Sequence, residues 1–365
     1  MTTIRIENLR KSFGDFVAVQ NSSFAIGDGE FFCLLGLSGC GKTTTLRMIA
    51  GLELPTSGHI YLGHDEVTAK RASQRDIAFV FQLFALYPHM SVRANIGFPL
   101  KCEGRPRVEI RGRVEETARI LHIDHLLDSS VSGLSGGDRQ RVALGRAIVR
   151  RPAAFLMDEP LGALDSEFRH IMCGELRALH DRLGATTVYV THDQLEAMSM
   201  ADKIAVMSNG VVEQLAPPQE IYDRPASMFV AGFIGSPPMN FLRLHAPLKR
   251  GDRAITLDGN TLPVPELRED VAEGEIALGV RPEHVALRDA SPIRGEVFGT
   301  EYLGTTQIVT ITTARGNVKA RVASEAYVRQ GEQVGLSFQS DKMSIFDASS
   351  GRAFRTALHE GGPHG

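Results

Sequence analysis

The stretch Phe31-Phe-Cys-Leu-Leu-Gly36-Leu37-Ser38-Gly39-Cys40-Gly41-Lys42-Thr43-Thr44-Thr-Leu46 decides how the chain must be read. Its centre, Gly36 to Thr43, fits the pattern of a phosphate-binding loop, a glycine, four free positions, then Gly-Lys-Thr. The flanks supply the required context. Phe31–Leu35 is a short continuous apolar run, as expected of a strand buried on both faces. Thr44–Leu52 is spaced as a helix. Glycines let the backbone curl so that its N–H groups face phosphate oxygens, and the helix N-terminus adds positive potential. Lys42 would reach the β- and γ-phosphates and the Thr43 hydroxyl would ligate Mg²⁺. The candidate ATP contacts are Gly36, Ser38, Gly39, Cys40, Gly41, Lys42, Thr43 and Thr44.

Outward from the loop, strand and helix patterns alternate. Ile4–Leu9, Ile77–Phe81, Ala153–Met157 and Thr187–Val190 read as strands. Val108–Leu121, Gly137–Val149, Ser166–Leu183 and Asp193–Met200 read as helices. This alternation predicts an α/β cassette with a largely parallel sheet. The segment from about 88 to 150 lacks strand signals and is expected to be a helical insertion. Near residue 235 the character changes at the breaker cluster Gly235-Ser-Pro-Pro. Beyond it Ile255–Leu257, Glu275–Val280, Gly295–Tyr302, Gln307–Thr312, Asn317–Val322 and Gln333–Phe338 are short β-type runs, which predict a small all-β sandwich or barrel over 236–352. Residues 353–365, ending Gly-Gly-Pro-His-Gly, are expected to be a flexible tail.

Charge and composition narrow the function. The net charge of -3 offers no broad basic field for nucleic acid. No stretch approaches 18 apolar residues, so no membrane-spanning helix is expected. The charged start, Met-Thr-Thr-Ile-Arg-Ile-Glu, argues for a cytoplasmic location. Cys33, Cys40, Cys102 and Cys173 have no metal-ligand spacing and read as reduced thiols.

Two further motifs carry chemistry. Ala154-Phe-Leu-Met-Asp158-Glu159-Pro160 is an apolar strand ending in two acids, and strand C-termini form the ligand edge of a parallel sheet. Asp158 would hold Mg²⁺ directly or through water, and Glu159 would act as general base on the attacking water. The plainer reading is a strand-end turn with solvated acids. Ser135-Gly136-Gly137-Asp138-Arg-Gln-Arg141 opens a helix and forms a second anion-receiving helix end. Its plainer reading is a Ser-capped helix.

Together the three motifs resemble those of the ATP-binding-cassette (ABC) ATPases, and the resemblance implies roles for further residues. Gln82 resembles the family's switch glutamine, which touches Mg²⁺ and the attacking water on a loop facing a membrane partner. His192, in Thr191-His192-Asp193, resembles the switch histidine at the γ-phosphate. Leu164-Asp165 resembles the loop that couples two ATPase copies. Phe13 falls where the family stacks an aromatic on adenine, with Phe16 as the alternative residue and core packing as the alternative role. By the same resemblance Ser135, Gly136 and Gly137 serve the ATP bound to the opposing subunit. Tyr222-Asp-Arg-Pro-Ala-Ser-Met-Phe-Val-Ala-Gly-Phe-Ile-Gly-Ser236-Pro-Pro-Met-Asn240 and Gly279-Val-Arg-Pro-Glu-His284 resemble the junction and the regulatory-domain signature of bacterial carbohydrate importers of the maltose and glycerol-phosphate type.

That resemblance implies ABC nucleotide-binding domain over 1–235 and an oligonucleotide-fold-like regulatory barrel over 236–352. It implies a second ATPase subunit, two transmembrane permease subunits and an extracytoplasmic solute-binding protein as partners, with no nucleic acid. The location it implies is the cytoplasmic face of the inner membrane. Three departures from the family pattern stand out: Asp138 where Gln is usual, Leu37 where Pro is usual, and Gly162-Ala163 where Ser-Asn is usual. They leave room for a regulatory module with vestigial hydrolysis and for pairing with an unlike ATPase chain. A non-transport cassette ATPase would be expected to carry coiled-coil insertions or tandem cassettes, and an exporter ATPase to lack the C-terminal barrel.

Overall fold

In the computed structural model the described residues are all except 1, 83–84, 163, 258, 272–273, 290, 292 and 360–365. The chain divides into two units, residues 1–218 and 219–365.

In the first unit, runs that are apolar on both faces become buried parallel strands. The elements in order are β1 (Ile4–Phe13), β2 (Phe16–Ile26), β3 (Phe31–Gly36), α1 (Lys42–Ala50), β4 (Ser57–Leu62), β5 (Asp65–Glu66), β6 (Ile77–Val80), α2 (Val92–Cys102), α3 (Arg107–Ile120), α4 (Gly136–Ile148), β7 (Ala154–Asp158), α5 (Ser166–Leu183), β8 (Thr186–Thr191), α6 (Gln194–Met200), β9 (Lys203–Ser208) and β10 (Val211–Ala216). One sheet has the order β10-β9-β3-β8-β7-β6, parallel from β9 to β6, with β10 antiparallel at its edge. Every residue of β3, β7 and β8 is buried. An antiparallel sheet, β2-β1-β4-β5, shares one core with β3 and α1, in which Ile4, Ile6 and Phe24 meet Phe32, Leu34 and Leu46.

Between β6 and β7 the chain is helical, as its lack of strand signals predicts. Ser91 caps α2 by accepting the Ala94 N–H, and a Cβ on Gly145 of α4 would lie only 3.1 Å from Leu121 and 3.2 Å from Ile96. The loop after α1 is fixed by buried Arg75, whose Nη1 donates to the Met48 and Ile49 carbonyls at 2.7 and 2.6 Å. It thereby caps the helix's negative end.

The second unit holds α8 (Met228–Phe233), preceded by α7 (Pro218–Asp223) at its start, and then strands. These are β11 (Asn240–His245), β12 (Ala254–Leu257), β13 (Asn260–Pro263), β14 (Glu275–Val280), β15 (Val285–Leu287), β16 (Ile293–Tyr302), β17 (Thr306–Thr313), β18 (Gly316–Ala323), β19 (Gln333–Phe338) and β20 (Ser344–Asp347). They pair antiparallel as β11-β14-β20, β12-β13 and β15-β19-β16-β17-β18. Leu242, Leu278 and Ile345 of the first sheet and Val297, Val309 and Leu336 of the third fill one core, the barrel-like arrangement expected of alternating strands. The signature Arg281 is buried. Its guanidinium donates to the Ala231, Ile234 and Tyr222 carbonyls and stacks 4.0 Å from the Tyr222 ring.

One expectation is corrected here. The flexible tail predicted from 353 onward packs through residue 359: Phe354 and Thr356 are buried, and the Ala353 and Phe354 N–H groups donate to the Ala226 and Ile345 carbonyls. The polar, glycine-rich composition that suggested a tail belongs to residues 360–365, which lie outside the described residues.

Candidate functional site

Four segments converge because parallel strands deliver their C-termini to one edge of the sheet. β3 runs into the glycine loop, β6 ends just before Gln82, β7 ends at Asp158 and β8 ends at Thr191. The loop needs its glycines. Gly39 and Gly41 have φ of 81° and 102°, a region that side chains disfavour. A Cβ on Gly36 would sit 2.3 Å from the Met207 carbonyl oxygen, and one on Gly41 would sit 2.4 Å from that of Ala18.

Lys42 is 4% exposed, and its Nζ donates to the Gly36 and Leu37 carbonyls, each at 2.9 Å. The ammonium is thus held within the curl of the loop, with Cys40 Sγ at 3.9 Å. The Thr43 hydroxyl donates to Asp158 Oδ1 at 2.8 Å, so loop and strand end are tied at the two predicted Mg²⁺ ligands. Asp158 is 5% exposed. Burial holds its carboxyl above the usual range, opposed by the Thr43 hydrogen bond and the charge of Arg47. A hydroxyl and a carboxylate are the hard oxygen donors that Mg²⁺ takes from protein while keeping other positions for water and phosphate. The donor set therefore fits Mg²⁺. Among the described residues no group of three or more His, Cys, Asp or Glu converges on a metal position, so phosphate oxygens and water would complete the coordination.

Glu159 sits at φ 44°, a left-handed conformation a glutamate rarely takes and one typical of functional sites. Its N–H donates to the Val190 carbonyl at 3.0 Å, which pins the turn to β8. The carboxylate is drawn into a cluster: Oε2 lies 3.2 Å from His192 Nδ1 and accepts from Gln82 Nε2 at 3.4 Å. Glu159, His192 and Gln82, read from three separate motifs, thus meet at one oxygen.

Phe13 and Phe16 are paired across the turn end of the β1–β2 hairpin and are 48% and 61% exposed. That exposure counts against core packing for either. Lys11 Nζ stands 4.7 Å from the Phe13 ring centroid.

The second anion-receiving motif is built differently. Ser135 caps α4, accepting the Asp138 N–H at 3.2 Å, and its own hydroxyl donates to Asp138 Oδ2 at 2.7 Å. Gly137 is buried because the Phe168 ring lies where its Cβ would be, 2.3 Å away, whereas a Cβ on Gly136 would meet nothing closer than Leu164 at 3.7 Å. Among the described residues, the hydrogen bonds of Ser135 stay within this helix end and do not reach Lys42, Asp158, Glu159 or His192. Asp165 caps α5 by accepting the Phe168 N–H at 2.9 Å. Ala163, one of the departures, lies outside the described residues.

Sequence reasoning missed the group that steadies these loops. Arg169 of α5 donates to the Leu164 carbonyl at 2.9 Å and pairs with Asp193 at 3.0 Å. It also faces buried Glu196 at 3.6 Å. Glu196 accepts from the Tyr189 and Thr191 hydroxyls, both at 2.7 Å, and burial raises its pKa. The available signal was Glu196 itself, three residues after Asp193 on the apolar side of a short helix.

Three family profiles match the chain: "ABC transporter" over residues 19–162, "MalK OB fold domain" over 235–285 and "TOBE domain" over 278–346. The chain is 46% identical to the trehalose/maltose import ATP-binding protein MalK of Thermococcus litoralis, over 97% of this chain and 100% of that one. It is 43% identical to sn-glycerol-3-phosphate import ATP-binding protein UgpC 2 of Agrobacterium fabrum, over 98% and 95%. Among solved structures it is similar to a dimeric, post-hydrolysis form of the ATP-binding cassette MJ0796 bound to ADP and Pi. That match has 30% identity and a TM-score of 0.53, over 59% of this chain and 98% of that one.

Proposed function

The chain belongs to the ABC transporter ATPases as an import ATP-binding subunit, and we propose that its own site hydrolyses MgATP with Glu159 as general base. Members of this family bind ATP, usually with Mg²⁺. The observation that carries the proposal is the meeting of Glu159, His192 and Gln82 at one carboxylate oxygen, on the sheet edge where Thr43 and Asp158 are joined.

In this reading Lys42 and the loop N–H groups from Gly36 to Thr44 hold the phosphates, with Ser38, Gly39, Cys40 and Gly41 lining them. Phe13 stacks on the adenine, with Phe16 at hand. Thr43, Asp158 and Gln82 hold Mg²⁺, which when bound neutralises charge on the phosphate oxygens. Glu159 accepts a proton from the attacking water at Oε2. Gln82 and His192 orient that carboxylate through its Oε2, and His192 would face the γ-phosphate. Ser135, Gly136 and Gly137 serve the ATP of an opposing ATPase subunit, because charge that builds on the γ-phosphate needs donors on every side.

The cassette would span residues 1–235, with the helical subdomain at about 88–150, and the regulatory barrel 236–352. Dimer closure would pass to two transmembrane permease subunits as a rigid-body movement. An extracytoplasmic binding protein would deliver the solute, and the chain would lie on the cytoplasmic face of the inner membrane. The solute class we propose is a sugar, polyol or glycerol or sugar phosphate. Relatives named for trehalose/maltose and for glycerol 3-phosphate are similar to this chain at 46% and 43% identity, so identity at that level does not select among these solutes.

The test is Glu159→Gln in the complex purified with its membrane partners. Turnover is expected to fall roughly 10²–10⁴-fold, the usual worth of a general base, with ATP binding retained. Near-wild-type turnover would move the base elsewhere.

A further inference from the structure

We infer that Asp138 is a positioning residue that withholds the Ser135 hydroxyl from the opposing chain's ATP, so that this helix end works below its capacity. The inference rests on the reading that Ser135 serves a nucleotide in trans. A serine hydroxyl has one proton to give. Here it goes to Asp138 Oδ2 at 2.7 Å, the short separation of a charge-assisted bond, while Ser135 Oγ accepts the Asp138 N–H. The cap fixes the oxygen in place and the carboxylate takes its proton. What Ser135 then presents outward is a lone pair, which repels a phosphate oxygen.

The surrounding charges hold this arrangement without cancelling it. Arg141 Nη1 lies 3.3 Å from Asp138 Oδ1, but the same guanidinium also makes a two-pronged contact with Glu175 at 3.1 and 3.2 Å. Two carboxylates, one on α4 and one on α5, thus share this one cation. The partial positive charge of the helix N-terminus stabilises Asp138 where it stands. An amide at position 138 would carry no charge and could donate to Ser135 Oγ, leaving the hydroxyl proton free. The backbone N–H groups of Gly136 and Gly137 are untouched, so the expected result is slowed turnover rather than loss. Binding of ATP to the chain's own loop is unaffected.

The experiment compares full-length wild type, Asp138→Asn, Asp138→Glu, Ser135→Ala, Ser135→Arg and the Asp138→Asn/Ser135→Ala double variant, at a chain concentration that saturates turnover. Reads are kcat and KM for MgATP, and affinity for a non-hydrolysable ATP analogue. Asp138→Asn should raise kcat about three- to tenfold, the worth of one released hydrogen bond, and leave analogue affinity within about twofold. Asp138→Glu should not raise it. In the Ser135→Ala background the gain should vanish, a coupling that a merely structural role would not produce. An unchanged or lower kcat in Asp138→Asn, or an equal gain without Ser135, overturns the inference while leaving the trans reading intact. Because the hydroxyl is already withheld, Ser135→Ala alone should keep near-wild-type turnover; wild-type turnover in Ser135→Arg, which blocks the helix end, overturns the trans reading, and the inference with it.

Discussion

The carboxyl edge of the parallel sheet and the N-terminus of α4 are both glycine-bearing, anion-receiving places, yet they are built to opposite plans. At the sheet edge Thr43 bonds to Asp158, and Glu159 to His192 and Gln82, across strands, while Lys42 bonds to the carbonyls of its own loop. At α4 the serine, among the described residues, bonds within its own turn, and the bulk behind it, Phe168, serves to exclude a side chain from Gly137. The first place draws its side-chain contacts from its own chain. The second has donors and no chemistry of its own, as befits a surface offered to another subunit. An acid at a helix start is stabilising for the helix and costly for an incoming phosphate, so Asp138 puts stability and function in opposition at that place.

The predictions that could break this comparison begin with the largest effect. Glu159→Gln should remove most turnover, and a site assembled within one chain requires ATP binding to survive it. Next come the two glycines of α4. Gly137→Ala must displace the Phe168 ring and should cost about 1–3 kcal/mol, the range for overpacking, seen as a lowered melting temperature. Gly136→Ala should be within about 0.5 kcal/mol of wild type. Turnover should nevertheless fall in both, in Gly136→Ala because the methyl crowds the backbone offered to the partner's ATP and in Gly137→Ala because the clash with Phe168 shifts that backbone. If Gly136→Ala keeps full turnover, its N–H is not a contact.

The smallest effect concerns Asp158. Burial raises its carboxyl pKa, so folding favours its protonated form. The stability this group gives is full below its unfolded value, near 3.8, and is lost as the pH rises through the higher folded value. Asp158→Asn should therefore melt higher than wild type at neutral pH and converge with it in acid, while losing Mg²⁺-dependent nucleotide affinity. A lower melting temperature at neutral pH would mean that the Thr43 hydrogen bond outweighs burial.

Much of the sheet edge was legible because its chemistry demands particular residues in short runs: Gly36 to Thr43, Asp158-Glu159, Thr191-His192. Four of the five parallel strands beneath it announced themselves as apolar runs, and β9 (Lys203–Ser208), close behind a helix, went unread. β2 did not, since a register shift and Asn21 at φ 43° break its alternation. The Glu159 backbone conformation leaves no trace in residue identity. Nor does the Arg169–Asp193–Glu196 group, whose members are 24 and 27 positions apart and meet only through packing of α5 on α6. Asp138 was visible as a departure from the usual signature, but only coordinates reveal that it takes the Ser135 proton.

The central claim, that one chain's sheet edge works with another chain's α4, is tested most directly by mixing two disabled full-length variants. Lys42→Ala lacks a usable loop and Ser135→Arg lacks a usable helix end. Each alone should turn over little ATP. Mixed in equal amounts, half of the dimers carry one intact composite site, and turnover should recover to roughly a quarter of wild type if dimers form by a twofold interface and their sites act independently. No recovery from two folded, dimer-forming variants, or full activity from Ser135→Arg alone, would contradict the account.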